Sequence, residues 1–138
     1  MKIVRADDDP QLLVADASVL INFLAIDRID LLAALPYQLI VTEHVEVEID
    51  EGYPEQLARF RSANTDGVFQ IVRVDHPKEL RLFSKLQADG RLGLGECSAL
   101  ACAHCRGGAI AIDDKVAIKR ANDMFVEMSI LRTLDLMV

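Results

Sequence analysis

The stretch LLVADASVLINFLA, residues 12–25, decides how this chain is expected to fold. Leu12 to Ala15 are apolar and the run ends at an acid, Asp16, which is typical of a fully buried strand in a parallel sheet. Ser18 is of a residue type that caps helices, and the residues after it predict a helix over 19–26. A buried strand that leads directly into a helix is the first half of an α/β unit.

The same alternation of strand and helix continues along the rest of the chain. Further strands are predicted over residues 37–41, 68–74, 109–112 and 128–131. Helices are predicted over residues 29–35, 55–63, 77–88, 96–106 and 115–122. The first eleven residues fit a polar lead-in or a short strand. We therefore expect one α/β domain over residues 1–138, in which a parallel sheet has helices on both faces.

Residues 42–51, TEHVEVEIDE, fit two different patterns. The alternation of Val45, Val47 and Ile49 has the period of a strand. Thr42 followed by acids is typical of the start of a helix. We favour a helix, because two parallel strands need a crossover connection between them.

Composition excludes several classes of protein. The chain has 138 residues, 51% of them hydrophobic, with a mean hydropathy of +0.21, so it is not a disordered protein. Its net charge of −7 argues against binding nucleic acid through bulk charge alone, and 5% aromatic residues without Trp argue against a base-stacking surface. No apolar stretch reaches membrane-spanning length, and the N-terminal segment does not resemble a signal peptide. Three cysteines without an export signal favour a cytoplasmic location.

The charges are unevenly distributed along the chain. Residues 1–69 hold 13 acids and 5 bases, whereas residues 70–138 hold 9 acids and 10 bases. Six bases lie in the middle of the chain: Arg73, Lys78, Arg81, Lys85, Arg91 and Arg106. They are either ordinary solvated residues or a basic rim that positions a polyanion beside an acidic pocket.

Four acids come from four separate segments, each at the end of a predicted element. Asp16 and Asp113 end apolar strands, and ligands of open parallel sheets bind at that edge. Glu96 begins a helix, and Glu48 belongs to the element after the second strand. Converging carboxylates repel each other, and a hard divalent cation such as Mg²⁺ or Mn²⁺ removes that conflict.

The bland interpretation of these acids is that they are helix caps. Asp16 would cap the helix that follows it, Glu96 would be a favourable first-turn glutamate, and Asp113 and Asp114 would cap the last helix. Spacing alone does not decide between caps and a metal site.

Four motifs, taken together and in order, resemble the PIN-domain nuclease family. VADASVLINFLA matches the first motif with Asp16 and Ser18, and VTEHVEVEI matches the second with Val45 and Glu48. GLGECSALACAHC is similar to a subgroup in which a GxGE motif supplies the third acid, here Glu96. IAIDDKVAIKRA resembles the fourth motif, with Asp113 in the main acidic place and Asp114 beside it. The resemblance covers about residues 10 to 134.

The resemblance implies a three-layer α/β/α sandwich with the strand order 3-2-1-4-5 and an endoribonuclease that depends on Mg²⁺ or Mn²⁺. It gives the catalytic and metal-binding roles to four acids: Asp16, Glu48, Glu96 and Asp113. Asp114 would be a further metal ligand, and Ser18 would orient the ligands. Many relatives are VapC-type toxins held by an antitoxin, and many are dimers. The expected partners are therefore an RNA substrate, an antitoxin protein and a second copy of the chain.

The chain departs from the family pattern in two places. Ala111 stands where the family often has Thr, two residues before its aspartate. The chain also stops soon after the fifth strand, so we expect it to lack the further helix with which that subgroup continues.

Two alternative functions remain open at this stage. The segment KIVRADDDPQLL resembles the first strand of a receiver domain, for which Asp50 would be the nearest phosphorylatable residue. The chain could also be a PIN-like binding protein without turnover. A zinc site is not expected, because Cys97, Cys102, His104 and Cys105 all lie on one short helix. Gly90, Gly93 and Gly95 are expected to give flexibility beside the site rather than to form a phosphate loop.

Overall fold

The computed structural model describes residues 10–137, so nine of the eleven residues of the predicted lead-in lie outside the described part. Five strands are present there: β1 Gln11–Ala15, β2 Tyr37–Thr42, β3 Gln70–Val72, β4 Ala109–Ala111 and β5 Ile130–Leu131. They form one sheet in the order β3-β2-β1-β4-β5, and every neighbouring pair is parallel. The predicted strand order and fold class are confirmed.

Helices cover both faces of this sheet. On one side pack α1 Ala17–Ala25, α2 Asp30–Ala33, α3 Glu43–Gly52, α4 Pro54–Thr65 and the short α8 Thr133–Leu136. On the other side pack α5 Pro77–Ala88, α6 Leu94–Cys105 and α7 Lys115–Met124. A hydrophobic core lies on each face of the sheet. Successive residues of β1 point to opposite faces, so Leu13 and Ala15 pack in the core beside α1 and Val14 packs in the core beside α6. Burial on both faces explains the unbroken apolar run of this strand.

The ambiguous residues 42–51 form a helix. The Thr42 side chain accepts a hydrogen bond from the Val45 N–H at 3.3 Å and so caps α3. Val45 and Ile49, four residues apart, are fully buried, whereas Val47 is exposed. The period-two alternation was therefore misleading, because only the members at helical spacing reach the core.

Element boundaries differ from the predictions where tertiary contacts set them. Helix α1 begins at Ala17, so Ser18 lies in its first turn and Asp16 takes the capping position. Helix α6 begins at Leu94, which puts Gly95 inside the helix rather than in a flexible turn. Strand β3 is an edge strand that pairs over only three residues, Gln70 to Val72. Helix α8 was not among the predicted elements.

No helix in the described part of the chain combines the length and the apolar character that crossing a membrane would need.

Candidate functional site

The carboxyl ends of β1 and β4 lie side by side at one edge of the sheet. The Asp16 N–H donates to the carbonyl of Ala111 at 2.9 Å, which extends the pairing of the two strands by one residue. Asp16 directly follows β1, and Asp113 comes two residues after β4. The expected adjacency of the first and fourth strands is thus observed, and the strand order reverses between them.

Asp16 is almost completely buried, with 3% of its surface exposed. It occupies the capping position of α1, yet its side chain makes no capping hydrogen bond. The Ser18 hydroxyl donates to Asp16 Oδ2 at 3.2 Å. Asp16 Oδ1 is buried and has no hydrogen-bond partner among the described residues. The carboxylate is therefore oriented by Ser18 but is not used as a helix cap.

The surroundings of Asp16 disfavour its ionised form. Burial is the main cause, and the charge of Glu48 adds to it, so the pKa of Asp16 is raised from 3.8 to about 6. The nearby amides of Ala17 and Ser18 and the Ser18 hydroxyl favour the ionised form but do not offset the burial.

Glu48 reaches the site from α3 through a contact with α6. Its Oε1 atom accepts a hydrogen bond from the Gly95 N–H at 3.1 Å. A Cβ atom at Gly95 would overlap that carboxylate oxygen and come within 2.9 Å of Glu48 Cδ. Gly95 is thus needed for the close approach of Glu48 and not for flexibility, which corrects the prediction.

Glu96 lies in the first turn of α6, and its Oε1 atom accepts from the Gly93 N–H at 3.0 Å. This part of the cap interpretation is correct. Burial, together with the charges of Asp16 and Asp114 and a contact with the Asp114 carboxyl, raises the pKa of Glu96 to about 7, although the Gly93 amide acts against the shift. The glutamate is therefore both a helix cap and a member of a repelling acidic group.

The two adjacent aspartates have different partners. Asp114 caps α7, since its Oδ2 atom accepts from the Ala117 N–H at 2.9 Å. Asp113 is not a cap. Its Oδ1 atom accepts from the Thr133 N–H at 2.8 Å, and its Oδ2 atom accepts from the Thr133 hydroxyl at 2.6 Å and from Asn22 Nδ2 at 3.1 Å.

Four of the acids share one property: a protein donor anchors one carboxylate oxygen, and no donor within residues 10–137 reaches the other. They are Asp16, Glu48, Glu96 and Asp114. Electrostatic coupling links these four in a chain, Glu48 to Asp16, Asp16 to Glu96 and Glu96 to Asp114. Asp113 differs because both of its oxygens are occupied.

The arrangement fits a divalent cation in its chemistry but is not closed around one. Among the described residues no three Asp, Glu, His or Cys side chains are gathered closely enough to form a ready-made metal site. The oxygens left over are hard carboxylate ligands, which suit Mg²⁺ or Mn²⁺. A buried Asp16 oxygen without a partner is the type of atom that a cation would satisfy.

Sequence reasoning missed three contributors to this site. Asn22 and Thr133 hold Asp113, and they are far from it along the chain. A polar Asn22 in the apolar stretch 19–26 was a signal that could have been used, whereas nothing local marked Thr133. Gly95 was noticed, but its role depends on a contact with another helix.

The cysteines of α6 form no disulfide. Cys97 and Cys102 are buried, as expected for an alanine-rich helix, whereas Cys105 is exposed. Burial raises the pKa of both buried thiols to about 11, so they are inert at neutral pH.

Comparison with known proteins agrees with this fold. A family model described as "PIN domain" matches residues 12–137. A toxin–antitoxin complex from Klebsiella pneumoniae has a similar chain with a TM-score of 0.59 and 18% identity, covering 88% of this chain and 97% of that one. A FitAB structure bound to an IR36 DNA fragment gives a TM-score of 0.60 and 12% identity, over 88% and 95%. At these identities the two structures show a shared fold. No curated protein matches the sequence.

Proposed function

The chain belongs to the PIN-domain family, and on that premise we propose that it is a metal-dependent endoribonuclease that hydrolyses RNA phosphodiester bonds. The observation that carries the proposal is the buried Oδ1 atom of Asp16, which has no protein partner within the described residues. It lies in an acidic group with Glu48 and Glu96, whose charges act on one another. A group of repelling carboxylates does not stabilise the fold by itself, so we infer that it is kept to bind a cation.

The ligands of Mg²⁺ or Mn²⁺ would come from the carboxylates that have an oxygen to spare. They are Asp16, Glu48, Glu96 and Asp114, with Asp113 as the fifth acid at the same edge of the sheet. When bound, the ion would neutralise the acids, activate a water and stabilise the negative charge that develops on the phosphate.

The chain itself contributes orientation. Ser18 holds one oxygen of Asp16, while the backbone N–H groups of Gly93 and Gly95 hold one oxygen of each glutamate. Because these donors lie at the starts of two helices, α1 and α6, the carboxylates are positioned before any ligand arrives. The absence of a hydroxyl at Ala111 leaves Thr133 as the hydroxyl that contacts Asp113.

The decisive experiment is cleavage of an end-labelled mixed-sequence RNA in Mn²⁺, in Mg²⁺ and in EDTA. We expect cutting only with metal, and a loss of about a hundredfold or more in Asp16→Asn and Glu48→Gln. Glu51→Gln is the matched control, because Glu51 is an exposed acid on the same helix as Glu48. A parallel titration with Mn²⁺ reports metal binding independently of turnover.

The outcomes separate the alternatives. A folded protein that binds Mn²⁺ but cuts no RNA would be the catalytically silent PIN-like protein. If the protein neither cuts RNA nor binds Mn²⁺, the proposal is wrong and the acids act only as helix caps. The receiver alternative is wrong, because Asp50 lies in α3 rather than at a strand end and the receiver strand order is 2-1-3-4-5.

We further propose that the protein is the toxin of a toxin–antitoxin pair and forms a homodimer in the cytoplasm. The similar chain in the toxin–antitoxin complex from Klebsiella pneumoniae supports the first part. Induced expression should then arrest growth, and Asp16→Asn should relieve the arrest. Light scattering should give twice the 15.3 kDa of a single chain.

A further inference from the structure

Helix α5 carries three basic residues on one face. Lys78, Arg81 and Lys85 follow one another at intervals of three and four residues, so they lie on the same side of the helix. All three are exposed. With Leu82 and the end of α6 they line a shallow open groove.

These three bases differ in their ion pairing from two others in the middle of the chain, Arg73 and Arg106. Arg73 forms an ion pair with Glu43 at 3.5 Å, and Arg106 forms one with Glu79 at 2.7 Å. Lys78, Arg81 and Lys85 form no ion pair within the described part of the chain. Arg91, in the turn after α5, forms none there either. Of the six bases in the middle of the chain, two are thus paired with acids and four form no ion pair with any residue that the structure describes.

Two of the three acids in and next to α5, Glu79 and Asp89, already form ion pairs with arginines outside the basic face. Glu79 is the only acid in α5, and it is buried beneath Arg106, whose guanidinium donates to both of its oxygens at 2.7 and 3.3 Å. Burial raises the pKa of Glu79, but the hydrogen bond and charge of Arg106 outweigh it, so the pKa is lowered and the group stays ionised. Asp89, which caps the end of α5, forms an ion pair with Arg120 at 3.3 Å. Asp75 remains as an exposed acid before the helix, so the face keeps an excess of positive charge.

The basic face lies on the helix that precedes the acidic site along the chain. Helix α5 packs along α6, and the chain passes from α5 through Arg91 to Gly93, whose N–H holds Glu96. The three bases span seven residues of helix, or about 10 Å. A nucleic-acid strand in helical form carries a phosphate about every 3.4 Å, so about three phosphates fit this length.

We propose that the face formed by Lys78, Arg81 and Lys85 binds the phosphate backbone of RNA and so holds a long strand on the domain that carries the acidic site. The inference rests on the proposed nuclease function and deepens it. Lys and Arg contacts with phosphates carry no sequence information, so this surface positions RNA without selecting its sequence. The groove has no Trp, Tyr or Phe in its lining, and these are the residues enriched in protein-binding surfaces.

The test compares two triple variants in an Asp16→Asn background, which blocks turnover. Lys78→Gln/Arg81→Gln/Lys85→Gln removes the face. Arg28→Gln/Arg59→Gln/Arg61→Gln is the matched control, because it makes the same change in net charge with bases that pair with acids on the other side of the sheet. The probe is a labelled 20-nucleotide RNA in Mg²⁺, titrated at several salt concentrations.

We expect the face variant to bind RNA at least tenfold more weakly at low salt. The slope of log K against log salt should become shallower by about 2, which is about 0.7 for each of three phosphates. The control should keep the slope of the parent. In the otherwise wild-type protein, the face variant should raise KM for the long RNA without changing kcat, and should cut a four-nucleotide RNA as well as the parent does.

The two proposals fail in different ways. If the parent cuts RNA and the face variant binds and cuts the long RNA equally well, the α5 inference is wrong while the nuclease stands. If the face variant keeps RNA binding but loses a protein partner, the surface is a protein-docking site and the inference is overturned. If the parent neither binds nor cuts RNA, the nuclease proposal fails and this inference fails with it.

Discussion

Asp113 and Asp114 show how one position along the chain changes the role of a carboxylate. Both oxygens of Asp113 are bonded to Thr133 and Asn22, whereas Asp114 uses one oxygen to cap α7 and contacts the Glu96 carboxyl with its side chain. A fully bonded carboxylate is a positioning group, and one with a spare oxygen can still take a cation.

We therefore expect Asp113→Asn and Asp114→Asn to differ in kind. Asp113→Asn leaves buried donors of Thr133 imperfectly matched and should cost about 1–3 kcal/mol of unfolding free energy. Asp114→Asn keeps a good capping residue and should leave stability almost unchanged while weakening Mn²⁺ binding about tenfold or more. Urea unfolding in EDTA and Mn²⁺ calorimetry measure the two effects. The reverse pattern would make Asp113 the main ligand, as the family motif implies.

Asp16 predicts how stability depends on pH without metal. Its pKa in the folded protein, about 6, lies above its ordinary value of 3.8, so the folded state holds this proton more tightly than the unfolded chain does. Raising the pH from 4 through 6 therefore costs stability, up to about 3 kcal/mol when the carboxylate is fully ionised. Asp16→Asn should remove this term and be more stable than wild type at pH 7.5.

The measurement is the difference in unfolding free energy between Asp16→Asn and wild type in EDTA at pH 4.5 and pH 7.5. The difference should grow in favour of the variant at the higher pH. A variant that is clearly less stable at pH 7.5 would show instead that the carboxylate stabilises the start of α1.

At the scale of elements, the first turn of α6 assembles the site. Its backbone N–H groups and those just before it anchor Glu48 from α3 and Glu96 from α6 itself, where the helix dipole also favours negative charge. Gly95 makes this possible because any larger residue would displace Glu48. A single helix start thus positions two acids from two helices.

We expect Gly95→Ala to separate folding from metal binding. Ala is favoured over Gly inside a helix by about 1 kcal/mol, and the displaced group is the flexible end of a side chain, so the fold should persist. The new methyl group should push Glu48 away and weaken Mn²⁺ binding, as Glu48→Gln does. The effects of the two substitutions should not add, because both act on the same carboxylate.

Gly52→Ala is the control for this prediction. Gly52 lies at the end of α3, and a Cβ atom there would meet nothing within 4 Å. It should keep Mn²⁺ affinity. Equal affinity in Gly95→Ala, measured by the same calorimetry, would show that the Glu48 contact with α6 is not needed for the ion.

At the scale of the whole molecule, the parallel sheet brings acids of α3, α6 and the β1 and β4 ends to one edge. A cation that binds them would connect elements of both helical layers, so its binding should stabilise the entire domain. The net charge of −7 adds to this effect, because metal binding reduces the repulsion among acids.

Mn²⁺ should therefore raise the melting temperature. At a hundredfold excess over Kd the stabilisation is about 2.7 kcal/mol, which for a domain of this size is roughly 8 °C. Thermal unfolding with and without MnCl₂ measures the shift. Glu51→Gln should keep it and Asp16→Asn should lose most of it; an equal shift in both variants would place the ion elsewhere.

Much of the fold could be read from local patterns. The apolar run before Asp16, the alternation of strands and helices, and Thr42 as a cap were enough to predict the class of fold, and the family resemblance supplied the strand order. The acids Asp16, Glu48, Glu96 and Asp113 stood out because each was expected at the end of an element. That expectation is wrong for Glu48, which lies within α3. Local signals of this kind survive in the folded protein because they arise from hydrogen bonds and burial within one element.

What the sequence could not determine involves contacts between distant residues. Asn22 and Asp113, whose side chains are hydrogen-bonded, are 91 residues apart along the chain. The Gly95 N–H and the Glu48 carboxylate that accepts from it belong to two helices and are 47 residues apart. Which bases of the middle region pair with acids, and which remain free on α5, also depends on such packing. Sequence by itself determined most of the elements and pointed to the acids. Only the tertiary structure decided that Gly95 anchors Glu48 and that both oxygens of Asp113 are occupied, because those donors come from other elements.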